Sequence, residues 1–73
     1  MNTYTVKMIW EDGYWHTSTE APLCLTLESE SYDNLVERVR VAAPEMIEMN
    51  SGYNGSIRLI FTSERTEILS EAV

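Results

Sequence analysis

The chain has 73 residues, 44% of them hydrophobic, with 5 basic and 12 acidic side chains and a net charge of -7. This is the length of a single domain of modest stability, and its apolar content excludes wholesale disorder. Binding to nucleic-acid phosphates depends on Lys and Arg releasing counterions, so the acid surplus argues against direct contact with DNA or RNA and in favour of a basic partner.

No stretch approaches the ~20 apolar residues of a membrane span. The start, MNTYTVKMIW, lacks the basic and then continuously apolar make-up of a signal peptide. A cytoplasmic protein with no membrane partner is therefore expected. Cys24 is the single cysteine, so neither an internal disulfide nor a cysteine metal cluster can form. Lying between Leu23 and Leu25, it reads as a small buried apolar side chain.

In chain order, TYTVKMIW at 3–10 alternates with period two. Tyr4, Val6, Met8 and Trp10 share one face, and Thr3, Thr5, Lys7 and Ile9 the other, which predicts a half-buried strand. Asp12-Gly13 predicts a tight hairpin, since Gly tolerates positive φ and Asp nearly does. YWHTST at 14–19 then returns, with Trp15, Thr17 and Thr19 on one face and Tyr14, His16 and Ser18 on the other. Glu20-Ala21-Pro22 breaks the pattern with a turn. LCLTLESE at 23–30 predicts a third strand, with Leu23, Leu25 and Leu27 on one side.

Ser31 is a good helix N-cap, and Asp33 suits the first turn of the helix dipole. Tyr32, Leu35, Val36, Val39, Ala42, Ala43, Met46 and Ile47 recur at helical spacing and predict an amphipathic helix laid on a sheet. Pro44 removes one helical hydrogen bond, so a kink or a restart is expected there. Asn50-Ser51-Gly52 and Asn54-Gly55 are stop and turn signals. SIRLIFTS at 56–63 is the last strand, with Ile57, Leu59 and Phe61 alternating against Arg58, Ile60 and Thr62. The domain is thus 1–63, followed by a short acidic tail at 64–73, helical fragment or frayed end.

The element order β-β-β-α-β predicts an α+β domain: an antiparallel meander, then a helix that returns the last strand to the same sheet. If that strand lies beside the first, the two are parallel. One helix covers one face. The other face, with Ile9 and part of the returning strand, is left to meet something else.

No assembled chemistry is evident. His16 needs a carboxylate or substrate in reach to act as a base, and its expected cross-strand neighbours are Lys7 or Ile9. Glu11 and Asp12 fall in a turn, Glu28 and Glu30 at a strand end, Glu45 and Glu48 on the helix, and the first strand carries no acid. These read as solvated charges instead of the converging carboxylates of a metal-dependent nuclease. The three glycines are scattered turn residues that make no phosphate-cradling loop. Trp10, Tyr14 and Trp15 would make a stacking platform for single strands only with basic neighbours that are missing. A non-enzyme with no cofactor and no metal is expected.

The words TYTVKMIWEDGYWHTSTEAP and SYDNLVERVRVAAPEMIEMN resemble the short HicB-like antitoxin domains, in particular a small uncharacterised branch of that group. The likeness spans residues 3–50 and rests on Trp15, Pro22, the Leu35–Val39 stripe and PEMIEMN at 44–50. Leu23 stands where the group has glycine, and Ser31-Tyr32 where it has Thr-Leu. The resemblance implies a partial RNase H-like fold: four strands, the last parallel to the first, with one helix across them and no nuclease carboxylates. It also implies a partner, a small basic mRNA-cleaving toxin whose active site is blocked. Many such proteins add a DNA-binding module. A chain ending at Val73 leaves no room for one, so autoregulation of transcription is not expected.

The expected contact region is Glu11, Asp12, Tyr14, His16, Glu28 and Glu30. Trp15, Leu25, Leu35, Val39 and Phe61 are assigned to the core. Self-association, as a dimer, is expected from the open strand edges. Two rival readings stand beside the antitoxin: an orphan accessory domain whose function is homo-oligomerisation, and a metal-dependent nuclease.

Overall fold

The computed structural model describes residues 1–70. It contains β1 (Asn2–Glu11), β2 (Tyr14–Ser18), β3 (Glu28–Ser29), α1 (Tyr32–Ser51) and β4 (Ile57–Arg65). The four strands form one mixed sheet in the order β3-β2-β1-β4. β1 and β2 are antiparallel, as are β2 and β3, whereas β1 and β4 run parallel from Asn2↔Ile57 to Trp10↔Arg65. The helix carries the chain from one edge of the sheet to the other, and this crossover is what allows the parallel pairing. The α+β class and the four-stranded mixed sheet under one helix are as the patterning predicts.

The hairpin turn holds Asp12 at φ 52° and Gly13 at φ 84°, the paired left-handed geometry that favours an Asp-Gly turn. Val6 and Met8 of β1 are fully buried, with Leu35, Val39, Ala43 and Ile47 of α1 packed above them. Of the residues assigned to the core, Leu25, Leu35 and Val39 are buried, and Trp15 and Phe61 pack partly buried against them. An aromatic cluster closes the hairpin end. Trp10 and Trp15 meet at 5.4 Å, Tyr32 of the helix stands edge-on to Trp15 at 4.9 Å, and the Arg65 guanidinium lies 4.9 Å over the Trp10 ring.

The helix is capped as its sequence predicts. The Asn34 amide donates to the Ser31 side chain at 3.2 Å, and Gly52, at φ 77°, donates its amide to the Glu48 carbonyl at 2.8 Å. Pro44 neither ends nor restarts it, and α1 is a single 20-residue element through that position. Pro44 and Arg40 are exposed, so water can serve the carbonyl that loses its donor. Ala43 and Ile47 keep the apolar phase against the sheet on both sides.

The third strand differs most from expectation: only Glu28–Ser29 of the 23–30 run pairs as a strand. Two threonines of the returning segment explain why. The Leu27 amide donates to Thr17 Oγ1 at 3.0 Å, the Thr17 hydroxyl donates to the Leu25 carbonyl at 3.1 Å, and the Leu25 amide donates to Thr19 Oγ1 at 2.8 Å. Side-chain oxygens thus take backbone bonds that a ladder would have supplied. The amides of Leu23 and Cys24 both turn back to the Glu20 carbonyl, at 3.0 and 3.3 Å, and Cys24 itself sits at φ 46°. The leucines still reach the core, since Leu23 and Leu25 are buried.

Cys24 is exposed, not buried. The neighbouring leucines turn inward, and Cys24, at φ 46° in the loop before β3, is left to solvent. Other boundaries shift modestly. β1 extends to Glu11, so the first strand does carry an acid, and β4 extends to Arg65. The tail therefore begins after Arg65. Its residues 66–70 are neither strand nor helix, and its last three, 71–73, lie outside the described residues.

Candidate functional site

Strand register fixes which side chains share the uncovered face. Directly opposed residues lie on the same side of a sheet. The face away from the helix therefore carries Thr3, Thr5, Lys7, Ile9 and Glu11 from β1 and Tyr14, His16 and Ser18 from β2. It also carries Glu28 from β3 and Arg58, Ile60, Thr62 and Glu64 from β4. Its two large aliphatic residues are separate: Ile9 is half-buried opposite Glu64, Ile60 is exposed opposite Thr5, and Lys7 and Thr62 lie between them. Lys7 Nζ forms an ion pair with Glu64 Oε1 at 3.6 Å, and His16 Nε2 lies 3.8 Å from Glu11 Oε2.

Four of the expected contact residues meet at one corner. His16 lies opposite Ile9 on one side and opposite Glu28 on the other, and Glu11 is paired with Tyr14 at the hairpin end. An imidazole is thereby flanked by two carboxylates beside an exposed phenol. Asp12 lies in the turn at the same end. Glu30 is separate: it falls between the end of β3 and the Ser31 cap. Ile9 stands beside His16 as expected; Glu28 belongs to the expected contact region, but its place opposite His16 follows only from the two-residue β3. The sequence reading missed Glu64, whose place opposite Ile9 follows only once β4 is known to run past Ser63.

The corner offers carboxylate acceptors to Lys and Arg side chains of a partner. Among the described residues, no group of three or more His, Cys, Asp or Glu is placed to hold a metal ion. No helix of the described residues is long and apolar enough to cross a membrane. A concavity of about 370 Å³ lies where β2 stops at Ser18 while β1 runs on; Thr3, Thr5 and Lys7 line it on one side and Thr19, Glu20 and Leu23 on the other.

The architecture has a solved counterpart, the crystal structure of hypothetical protein TTHA1013 from the extremely thermophilic bacterium Thermus thermophilus. The two are similar with a TM-score of 0.74 at 21% identity, over 92% of this chain and 99% of that one. Likeness at that identity speaks to the fold. No curated protein matches the chain. The family model described as a domain of unknown function, DUF1902, matches residues 3–70, nearly the whole sequence from the first strand into the tail, and the chain belongs to that family.

Proposed function

We propose that this domain is a non-catalytic, antitoxin-like protein-binding module of the HicB type. It neutralises a small basic mRNA-cleaving protein by receiving it on the uncovered sheet face. One observation carries the reading: Glu11, Tyr14, His16 and Glu28 converge on a face with no covering layer, in a chain of net charge -7. Opposed charge at such a patch raises the rate of encounter and rejects acidic competitors. The resemblance of the hairpin and helix to HicB-like domains, with its partial RNase H-like topology, supports the same reading. A protein acting inside the cytoplasm fits it.

The test is co-expression with the product of a neighbouring small basic open reading frame. The expected result is a co-purifying complex and rescue of growth, with a Glu11→Lys/Glu28→Lys double variant losing both while its circular dichroism is unchanged. Absence of any complex with wild-type protein, or full rescue by the double variant, removes the proposal.

A further inference from the structure

β4 is the outer strand of the sheet, and its whole length is paired on one side only. The Asn2 amide donates to the Ser56 carbonyl at 3.4 Å. In a parallel ladder that phase aims the backbone of the even-numbered β4 residues at β1. The N–H and C=O groups of Ile57, Leu59, Phe61, Ser63 and Arg65 therefore point outward, unpaired. The edge has no proline and no bulge; its first five residues read IRLIF and its last four TSER. Long uninterrupted edges are normally blunted or covered.

Charge on the edge is also incomplete. Among the described residues, Arg58 is the one basic side chain with neither an ion pair nor a hydrogen bond. Lys7, Arg38, Arg40 and Arg65 each have one. Beyond β4, residues 66–70 are neither strand nor helix, with Ile68 91% and Leu69 87% exposed.

We infer that the β4 edge is the docking site for a second copy of this chain. The two β4 strands pair antiparallel about a two-fold axis at Phe61 and make one continuous eight-stranded sheet. In that register Arg58 stands opposite the partner's Glu64, and the symmetric pair repeats the contact. Glu64 then serves both Lys7 of its own chain and Arg58 of the other. The same register runs each tail alongside the turn that precedes the other copy's β4, so Ile68 and Leu69 gain a neighbour they lack in the single chain. A closed two-fold contact of identical edges is the commonest form of self-association.

The experiment is sedimentation equilibrium on the whole chain at micromolar concentration. A dimer is expected for the wild type. Ser63→Pro removes an outward N–H without touching the ladder to β1, and yields a monomer whose circular dichroism is unchanged; Ser63→Ala, which loses only the hydroxyl's 3.2 Å bond to Tyr32, stays a dimer. Arg58→Glu sets like charges opposite each other twice and weakens the dimer about tenfold or more, and Arg58→Glu/Glu64→Arg recovers most of that loss. A monomeric wild type, or a dimer that survives Ser63→Pro, overturns the β4 interface. A dimer abolished by Ser63→Pro but indifferent to Arg58→Glu overturns the Phe61-centred register. Ser63 lies opposite Met8 on the helix side, and Glu28 lies on the opposite edge strand, so loss of the dimer in Ser63→Pro and loss of toxin binding in Glu11→Lys/Glu28→Lys are read independently.

Discussion

Thr17 shows how one side chain sets the course of a whole segment. It is buried, its hydroxyl both donates and accepts, and its amide bonds the Leu27 carbonyl at 3.0 Å. Thr17→Val keeps the shape and removes the oxygen, which leaves a half-buried Leu27 amide without its acceptor. A loss of about 1–3 kcal/mol in unfolding free energy is expected, measured by urea titration. At Cys24 the expectation concerns access. The thiol is exposed, so a maleimide should label the folded protein at a rate near that of the urea-unfolded chain. A rate lower by orders of magnitude would contradict the placement. Neither result follows from the sequence, where a Cys between leucines reads as core and a Thr in a strand reads as a neutral β-former. What distinguishes them is the course of the 19–27 loop, which brings the Leu25 and Leu27 backbone to Thr17 and turns Cys24 outward.

Among the elements, the helix was the most legible. Its cap at Ser31, its stripe and its stop at Gly52 all follow from spacing and local chemistry, because an amphipathic period sustained over 20 residues leaves little ambiguity. The hairpin was equally legible from Asp12-Gly13. The segment 23–30 was not: its alternation is sound, yet alternation shows which side chains turn inward and not which backbone groups pair across a ladder. Pro44 supplies a test at this scale. The Pro44→Ala variant regains the Arg40 bond and removes the ring clash, so the helix should gain about 1–3 kcal/mol, seen as a higher melting temperature. A lower one would mean that the proline's restriction of the unfolded chain outweighs its cost in the helix. The candidate site was legible in part. Glu11, Tyr14 and His16 follow from hairpin register, whereas Glu28 depends on a contact formed across a loop.

The whole molecule is more drawn out than its size requires. Its radius of gyration is 14.7 Å and its extents are 57 × 17 × 16 Å, against about 11 Å for a compact chain of this length. The excess lies in a long strand pair with a tail beyond it. Surface charge has a consequence at this scale too: association of the acidic corner with a basic partner should slow several-fold as salt rises from about 50 to about 500 mM, read as a falling association rate in stopped flow. A salt-independent rate would point instead to apolar contact at Ile9 or Ile60. The two-residue β3 matters here as well. One margin of the sheet is nine residues long, and the opposite margin is folded up by threonine hydroxyls. If copies join through β4 as proposed, a second copy can add at one side alone, and growth halts after a single addition. Straightening the 19–27 loop would give each molecule two sticky borders and turn a finite pair into a ribbon.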